Sequence, residues 1–418
     1  MAFNTLEKKA LTGLALLYAS RMLGLFMVLP VLTLYGQSLT GATTMLLGIA
    51  LGIYGITQAA LQIPLGMLSD RFGRKPVIAA GLLVFIVGSM IAALSDHVLG
   101  VVIGRALQGA GAIASVILAL LADYTRPEER TKAMAIVGAI IGGSFVLAVI
   151  VGPVIASAFG LSGVFWATSL MAFGGLFIVY WLPAPPAAKV HEERRWRGSQ
   201  LGQVVRDRRL MPLNLGIFVL HLTMTMLFVG LPVSLVQQGI VGDQLGWVYA
   251  PVMVLSFLGM VPMIAVAERR KAHRALLALA GVFIVLALAA LGVSSAAWFS
   301  IGMVWLFFVG FNFVEASLPS LISRRAPEQA RGTAMGVFST GQFLGAAFGG
   351  ICGGWAYQIW GMMGIAMIGI AMMLIWIVLL WRFDQGAADQ EEQERSRPAT
   401  DPGSRDGPEA TLGSREHP

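Results

Sequence analysis

The chain has 418 residues, 57% of them hydrophobic and only 12% charged, with a mean hydropathy of +0.77. A water-soluble domain carries about 25% charged residues, so a soluble enzyme or binding module is excluded, and the single cysteine, Cys352, rules out a disulfide framework or a thiolate metal cluster. The net charge of +7 suggests nucleic acid at first sight, but the placement of the charges assigns them to membrane topology instead.

Twelve apolar stretches follow one another, each close to the roughly 20 residues a membrane crossing requires. They are Leu11–Tyr35, Thr44–Leu68, Pro76–Leu94, Val98–Ala122, Ala133–Ala158 and Val164–Leu182 in the first half. In the second half come Pro212–Val236, Leu245–Ala267, Ala275–Val293, Ala297–Ile322, Thr333–Ala356 and Met362–Trp381. Span 1 is too long for a signal-peptide core and carries Arg21 in mid-run, so it reads as a true span. Of the 29 Lys and Arg, 27 fall in every second connection or at the termini, and the opposite connections hold acids such as Asp96 and Asp243. That partition predicts an even number of spans with both termini cytoplasmic.

The predicted architecture is an all-α integral membrane protein of two pseudo-symmetric six-helix bundles, residues 1–182 and 212–382. A charged, proline-rich cytoplasmic linker, 183–211, separates them, and residues 383–418 read as a disordered cytoplasmic tail. The halves echo each other at an offset near 200: Pro127-Glu128-Glu129-Arg130 precedes span 5, and Pro327-Glu328-Gln329-Ala330-Arg331 precedes span 11. Parallel repeats of this kind point to a transporter.

Ionisable side chains inside a bilayer mark function by default. Four stand clear of the edges: Arg21 in span 1, Arg105 in span 4, His221 in span 7 and Glu315 in span 10. The interval is three spans throughout, which predicts one shared central cavity. Tyr54, Gln58 and Gln62 recur every four residues on span 2 and so share a face. Arg105 with Gln108, Asn312 with Glu315, and Ser339 with Gln342 are i,i+3 pairs. The predicted substrate and proton cavity is therefore Arg21, Tyr54, Gln58, Arg105, Gln108, His221, Asn312, Glu315 and Gln342. For the isolated Gln and Thr residues, interhelical hydrogen bonding alone is the favoured account.

Between spans 2 and 3 stands Gly66-Met67-Leu68-Ser69-Asp70-Arg71-Phe72-Gly73-Arg74-Lys75-Pro76. Gly73 suits a turn with positive φ, and Asp70 has Arg74 and the span-4 residue Asp123 within reach as charge partners. This segment resembles the signature of the major facilitator superfamily, and Arg105-Ala106-Leu107-Gln108-Gly109 resembles the span-4 signature of its proton-coupled exporters. Arg21–Leu32 and Gly332–Val337 are similar to the YajR-type branch. On span 5, Gly138, Gly142, Gly143 and Gly152-Pro153 match the exporter pattern, with Val154-Ile155-Ala156 where further glycines are expected.

The resemblance implies proton-coupled export of a small, drug-like or metabolite molecule by alternating access, in the inner membrane of a bacterium. It also implies that Asp70, Arg74 and Asp123 form a relay, within a conformational motif of Gly66, Asp70, Arg71, Gly73, Arg74, Asp123, Gly152 and Pro153, that meets span 11 and latches the outward-open state. The alternative is a proton symporter or facilitator that imports an anionic or neutral solute. No cofactor or metal is expected. No Gly-x-x-x-x-Gly-Lys-Ser/Thr loop is present to bind ATP, and no His-Glu-x-x-His or Ser–His–Asp arrangement suggests an enzyme. The expected partners are a small substrate, protons and the bilayer, with the chain a monomer and nucleic acid excluded.

Overall fold

The computed structural model describes residues 3–183, 198–327 and 330–396. The helices in chain order are α1 (Thr5–Met27), α2 (Leu32–Tyr35), α3 (Thr44–Phe72), α4 (Arg74–Leu94), α5 (Val98–Ala110), α6 (Ala114–Tyr124) and α7 (Pro127–Trp181). After the first half come α8 (Gly198–Arg206), α9 (Met211–Gln237), α10 (Leu245–Arg269), α11 (His273–Val293), α12 (Ala297–Arg325) and α13 (Arg331–Ser396). Among the described residues, ten helical stretches are long and apolar enough to cross a membrane, with α5 and α6 counted together as Val98–Tyr124.

Two of these are double crossings. At 1.5 Å per residue the 55 residues of α7 would extend about 80 Å, far beyond a hydrocarbon core of about 30 Å. Gly160, at φ 68° and ψ −173°, breaks it, in a backbone region only glycine occupies comfortably. Both ends of α7 then lie at the same end of the bundle: Arg126 meets Glu7, and Leu182 packs on Gly13 and accepts a hydrogen bond from Lys75. Gly361, at φ 60°, breaks α13 in the same way. Twelve crossings result among the described residues, in two halves of six.

Three boundaries differ from the sequence reading. Span 1 ends at Met27 and is followed by the separate short helix α2, with Pro30 in the turn between them. Span 4 is two helices, because α5 stops at Ala110 and α6 starts at Ala114. The last helix runs on to Ser396, into the stretch expected to be disordered. An anchored helix propagates without a nucleation cost, and Ala387 to Arg395 is rich in Ala, Gln and Glu, which favour helix. Helix α8 likewise stands inside the expected linker. Linker residues 184–197 and tail residues 397–418 lie outside the described residues.

The halves meet at the end remote from the N-terminus. A Cβ at Gly48 would lie 2.3 Å from Gly350 O, one at Gly52 2.3 Å from Ala347 O, and one at Gly55 2.5 Å from Phe343 O. Only glycine lets α3 and α13 approach so closely, the small-residue packing common inside membranes. Gly246 of α10 approaches Ile150 O of α7 in the same manner, and Thr33 donates to Phe228 O at 3.3 Å. At the opposite end the halves diverge: Gly138, Gly143, Gly332 and Gly336 have nothing within 4 Å of a built Cβ. The bundle is therefore sealed at one end and open at the end that carries the N-terminus.

Candidate functional site

Two polar clusters occupy the membrane interior, one in each half. In the first, Arg21 Nη2 donates to Gln58 Oε1 at 2.9 Å and to Tyr54 OH at 3.4 Å. Arg105 lies over the Tyr54 ring, 4.7 Å from its centroid, and donates to Gln108 Oε1 at 2.8 Å and Ala50 O at 3.2 Å. Gln108 donates onward to Ser89 at 2.7 Å. Arg21 is 2% exposed and Arg105 1%, and neither has a carboxylate among its partners in the described residues. Tyr54, one turn before Gln58, touches both guanidinium groups and ties α1, α3 and α5 together.

In the second cluster, the Gln342 amide of α13 donates to His221 Nε2 at 2.9 Å and to Glu315 Oε1 at 3.1 Å. An amide nitrogen has two protons and serves both acceptors. Reading the network this way makes His221 a neutral imidazole that accepts at Nε2 and donates from Nδ1 to Ile217 O at 3.3 Å. Glu315 Oε2 lies 3.8 Å from His221 Nδ1 and has no hydrogen-bond partner. The Glu315 side chain is 33% exposed and His221 9%. Asn312, one turn earlier on α12, donates instead to Ser256 of α10 at 2.9 Å.

The four ionisable groups form two clusters, and no described hydrogen bond or ion pair joins them. Spacing along the chain correctly placed one group on the first helix of each three-span unit. Which way each side chain turns depends on the neighbouring helices. The backbone contact between Gly55 and Phe343 stands between the clusters, beside Tyr54 on one helix and Gln342 on the other.

Sequence reasoning missed an aromatic cluster that crosses the halves. Phe145 of α7 lies 5.1 Å from Phe26, 6.3 Å from Phe228, 6.0 Å from Phe308 and 6.2 Å from Phe311, by ring centroids. Phe311 is also 5.8 Å from the His221 ring, so this apolar plug borders the second cluster. Phe307, Phe308 and Phe311 are buried while Trp305 is 38% exposed, a separation invisible in the sequence. A second omission is Glu7, which caps α1 with Asn4 and holds Arg126 at 2.9 Å, tying the chain's first helix to the start of α7.

Arg74, Asp70, Asp123 and Ser69 meet within the first half, at the end that carries the N-terminus. Arg74 pairs with Asp70 at 2.6 Å and Asp123 at 3.3 Å, and donates to Ser69 Oγ at 2.5 Å. Gly73 has φ 92°, as a tight turn requires, and Gly66 faces Ser115 of α6. Arg71 lies over Phe72, away from the cluster, and Asp70 is 56% exposed. Gly152, followed by Pro153, lets α7 approach Met27 O, where a Cβ would stand at 2.6 Å.

The sequence matches the family model of the Major Facilitator Superfamily over residues 14–350 and 213–411. The chain belongs to that superfamily. It is 46% identical over 353 residues to the inner membrane transport protein YajR of Escherichia coli, covering 84% of this chain and 77% of that protein. It is 27% identical over 349 residues to the multidrug resistance protein MdtH of Yersinia enterocolitica, covering 81% and 84%. Among solved structures it resembles a bacterial homologue of the human lysosomal transporter Spinster, in an inward-facing and occupied conformation. The TM-score there is 0.74, at 13% identity, over 95% of this chain and 100% of that one. The protein is thus a multi-pass membrane transporter, not an enzyme, with the superfamily fold.

Proposed function

We propose that this transporter exports a small molecule in exchange for protons, by rocking its two six-helix halves. The observation that carries the reading is Glu315. Among the described residues it is the one acid in the middle of a spanning helix, half-turned to the opening and held by Gln342 beside His221. A carboxylate so placed takes up and releases a proton through the open end, and its neutral form crosses the closed state without an uncompensated charge. With the basic connections and the N-terminus read as cytoplasmic, in the inner membrane, the arrangement described here is inward-facing. Asp70, Arg74 and Asp123 act in the opposite state: when the open end closes, this cluster meets the start of α13 and latches the halves outward-open. Export is supported by the likeness to MdtH, whose name assigns it multidrug resistance.

The test is solute flux in proteoliposomes under an imposed pH gradient, with the wild type and Glu315→Gln compared. Efflux must follow the gradient in the wild type and lose that dependence in the variant. Efflux indifferent to the gradient, or coupling that survives in Glu315→Gln, overturns the reading. A second reading, uptake by symport, rests on the count of two buried arginines to one deep acid, which suits an anionic solute. Accumulation under an inward proton gradient selects it instead.

A further inference from the structure

We propose that the first half contains an anion site, built from Arg21, Gln58 and the broken fourth span, which binds the carboxylate of an organic anion as substrate. The inference rests on the transporter reading and names its substrate class.

The first support is unused donor capacity. Arg21 Nε and Nη1 and Gln58 Nε2 are buried side-chain nitrogens without a hydrogen-bond partner. All three carry protons, and none can serve as an acceptor. Arg105, by contrast, spends its donors on Ala50 O and Gln108.

The second support is charge. Arg21 and Arg105 are permanently protonated, are nearly sealed from solvent, and have no described carboxylate partner. Two guanidinium charges deep in a bilayer demand compensation, and the Tyr54 and Phe85 rings supply only part of it.

The third support is the break in span 4. Helix α6 begins in mid-membrane at Ala114, with Ile113 before it offering no side-chain cap. The first N–H groups of a helix lack internal partners, and its positive end attracts anions. Discontinuous helices in transporters present such ends to anionic substrate groups. The break and Arg21 share a neighbour: the guanidinium lies 5.7 Å from the Phe85 ring centroid, and a Cβ at Gly111, within the break, would stand 3.2 Å from Phe85 Cβ. On the other side, Ser115 of α6 donates to Gln62 O, one turn from Gln58 on α3. A cationic side chain, an amide donor and a helix N-terminus are thus linked through Phe85 and Gln62, and each favours negative charge.

The experiment measures binding to the purified full chain by thermal shift and isothermal titration, without a proton gradient, so that its outcome is independent of coupling. The probes are benzoate, chloride and benzyltrimethylammonium. Benzoate is expected to raise the melting temperature and to bind about tenfold or more weakly to Arg21→Gln, the loss of a charge-assisted hydrogen bond. Arg21→Lys should keep part of the affinity, and Gln58→Leu provides the check if Arg21→Gln does not fold. Stabilisation by chloride alone marks a structural halide site and overturns the substrate class. Preference for benzyltrimethylammonium, failure of benzoate to bind, or wild-type benzoate affinity in folded Arg21→Gln and Gln58→Leu overturns it as well. Loss of gradient-driven flux with benzoate binding intact refutes the coupling reading and leaves this one standing.

Discussion

The seam between α3 and α13 sets the balance between the two states, and Gly52→Ala perturbs it. The added Cβ would stand 2.3 Å from Ala347 O, roughly 1 Å inside ordinary van der Waals contact, against backbone that cannot rotate away. Overpacking of this kind costs about 1–3 kcal/mol. The cost applies only where the seam is closed, so the equilibrium moves toward the opposite state by about 5- to 150-fold. Gly138→Ala is the matched control. It also replaces a helical glycine, but nothing lies within 4 Å of its Cβ, so both variants share the helix-propensity gain and differ in the clash. Pairs of spin labels at Ser38 and Asp243, exposed at the sealed end of the two halves, report the separation in a Cys352→Ala background. Gly52→Ala should populate a longer distance that Gly138→Ala does not. An unchanged distance distribution in a Gly52→Ala protein that melts like the wild type would refute the reasoning.

Two stability predictions follow from the same packing logic. Arg126→Ala removes the guanidinium from the Glu7 carboxylate, which keeps its bonds from the backbone N–H groups of Asn4 and residue 126, and should lower the melting temperature. Thermal melting in detergent should show Glu7→Gln with Arg126→Ala recovering part of the loss, and a double variant no better than Arg126→Ala refutes the charge contribution. Gly160→Ala and Gly361→Ala each force a side chain into positive φ, so each should lower stability by about 1–3 kcal/mol. Gly174→Ala, a helical glycine with open space, should be neutral or better in the same assay.

Much of the site was legible because ionisable residues are rare in lipid and therefore conspicuous. Arg21, Arg105, His221 and Glu315 stand out against apolar spans, and the pairs Arg105 with Gln108 and Tyr54 with Gln58 proved to be neighbours in one network. Gln342 was legible as polar, but not as the clamp on both His221 and Glu315, because that role needs α9, α12 and α13 to meet. Phe145 gave no signal at all. An aromatic residue in an apolar span reads the same whether it faces lipid or a partner helix.

The sequence by itself determined the number of crossings, their grouping into two halves and the common end of the basic connections. These follow from one-dimensional quantities: the length of apolar runs and the side on which Lys and Arg accumulate. Tertiary structure decided which faces of the helices look at each other. It gathered the polar residues into a buried arginine cluster and a half-open Glu315 cluster, broke span 4 between Ala110 and Ala114, and closed the bundle at the glycine seam. In lipid nearly every face of a spanning helix is apolar. The rotation of each helix is therefore fixed by close packing and by a few interhelical hydrogen bonds, and those contacts join residues as far apart as Gly52 and Ala347.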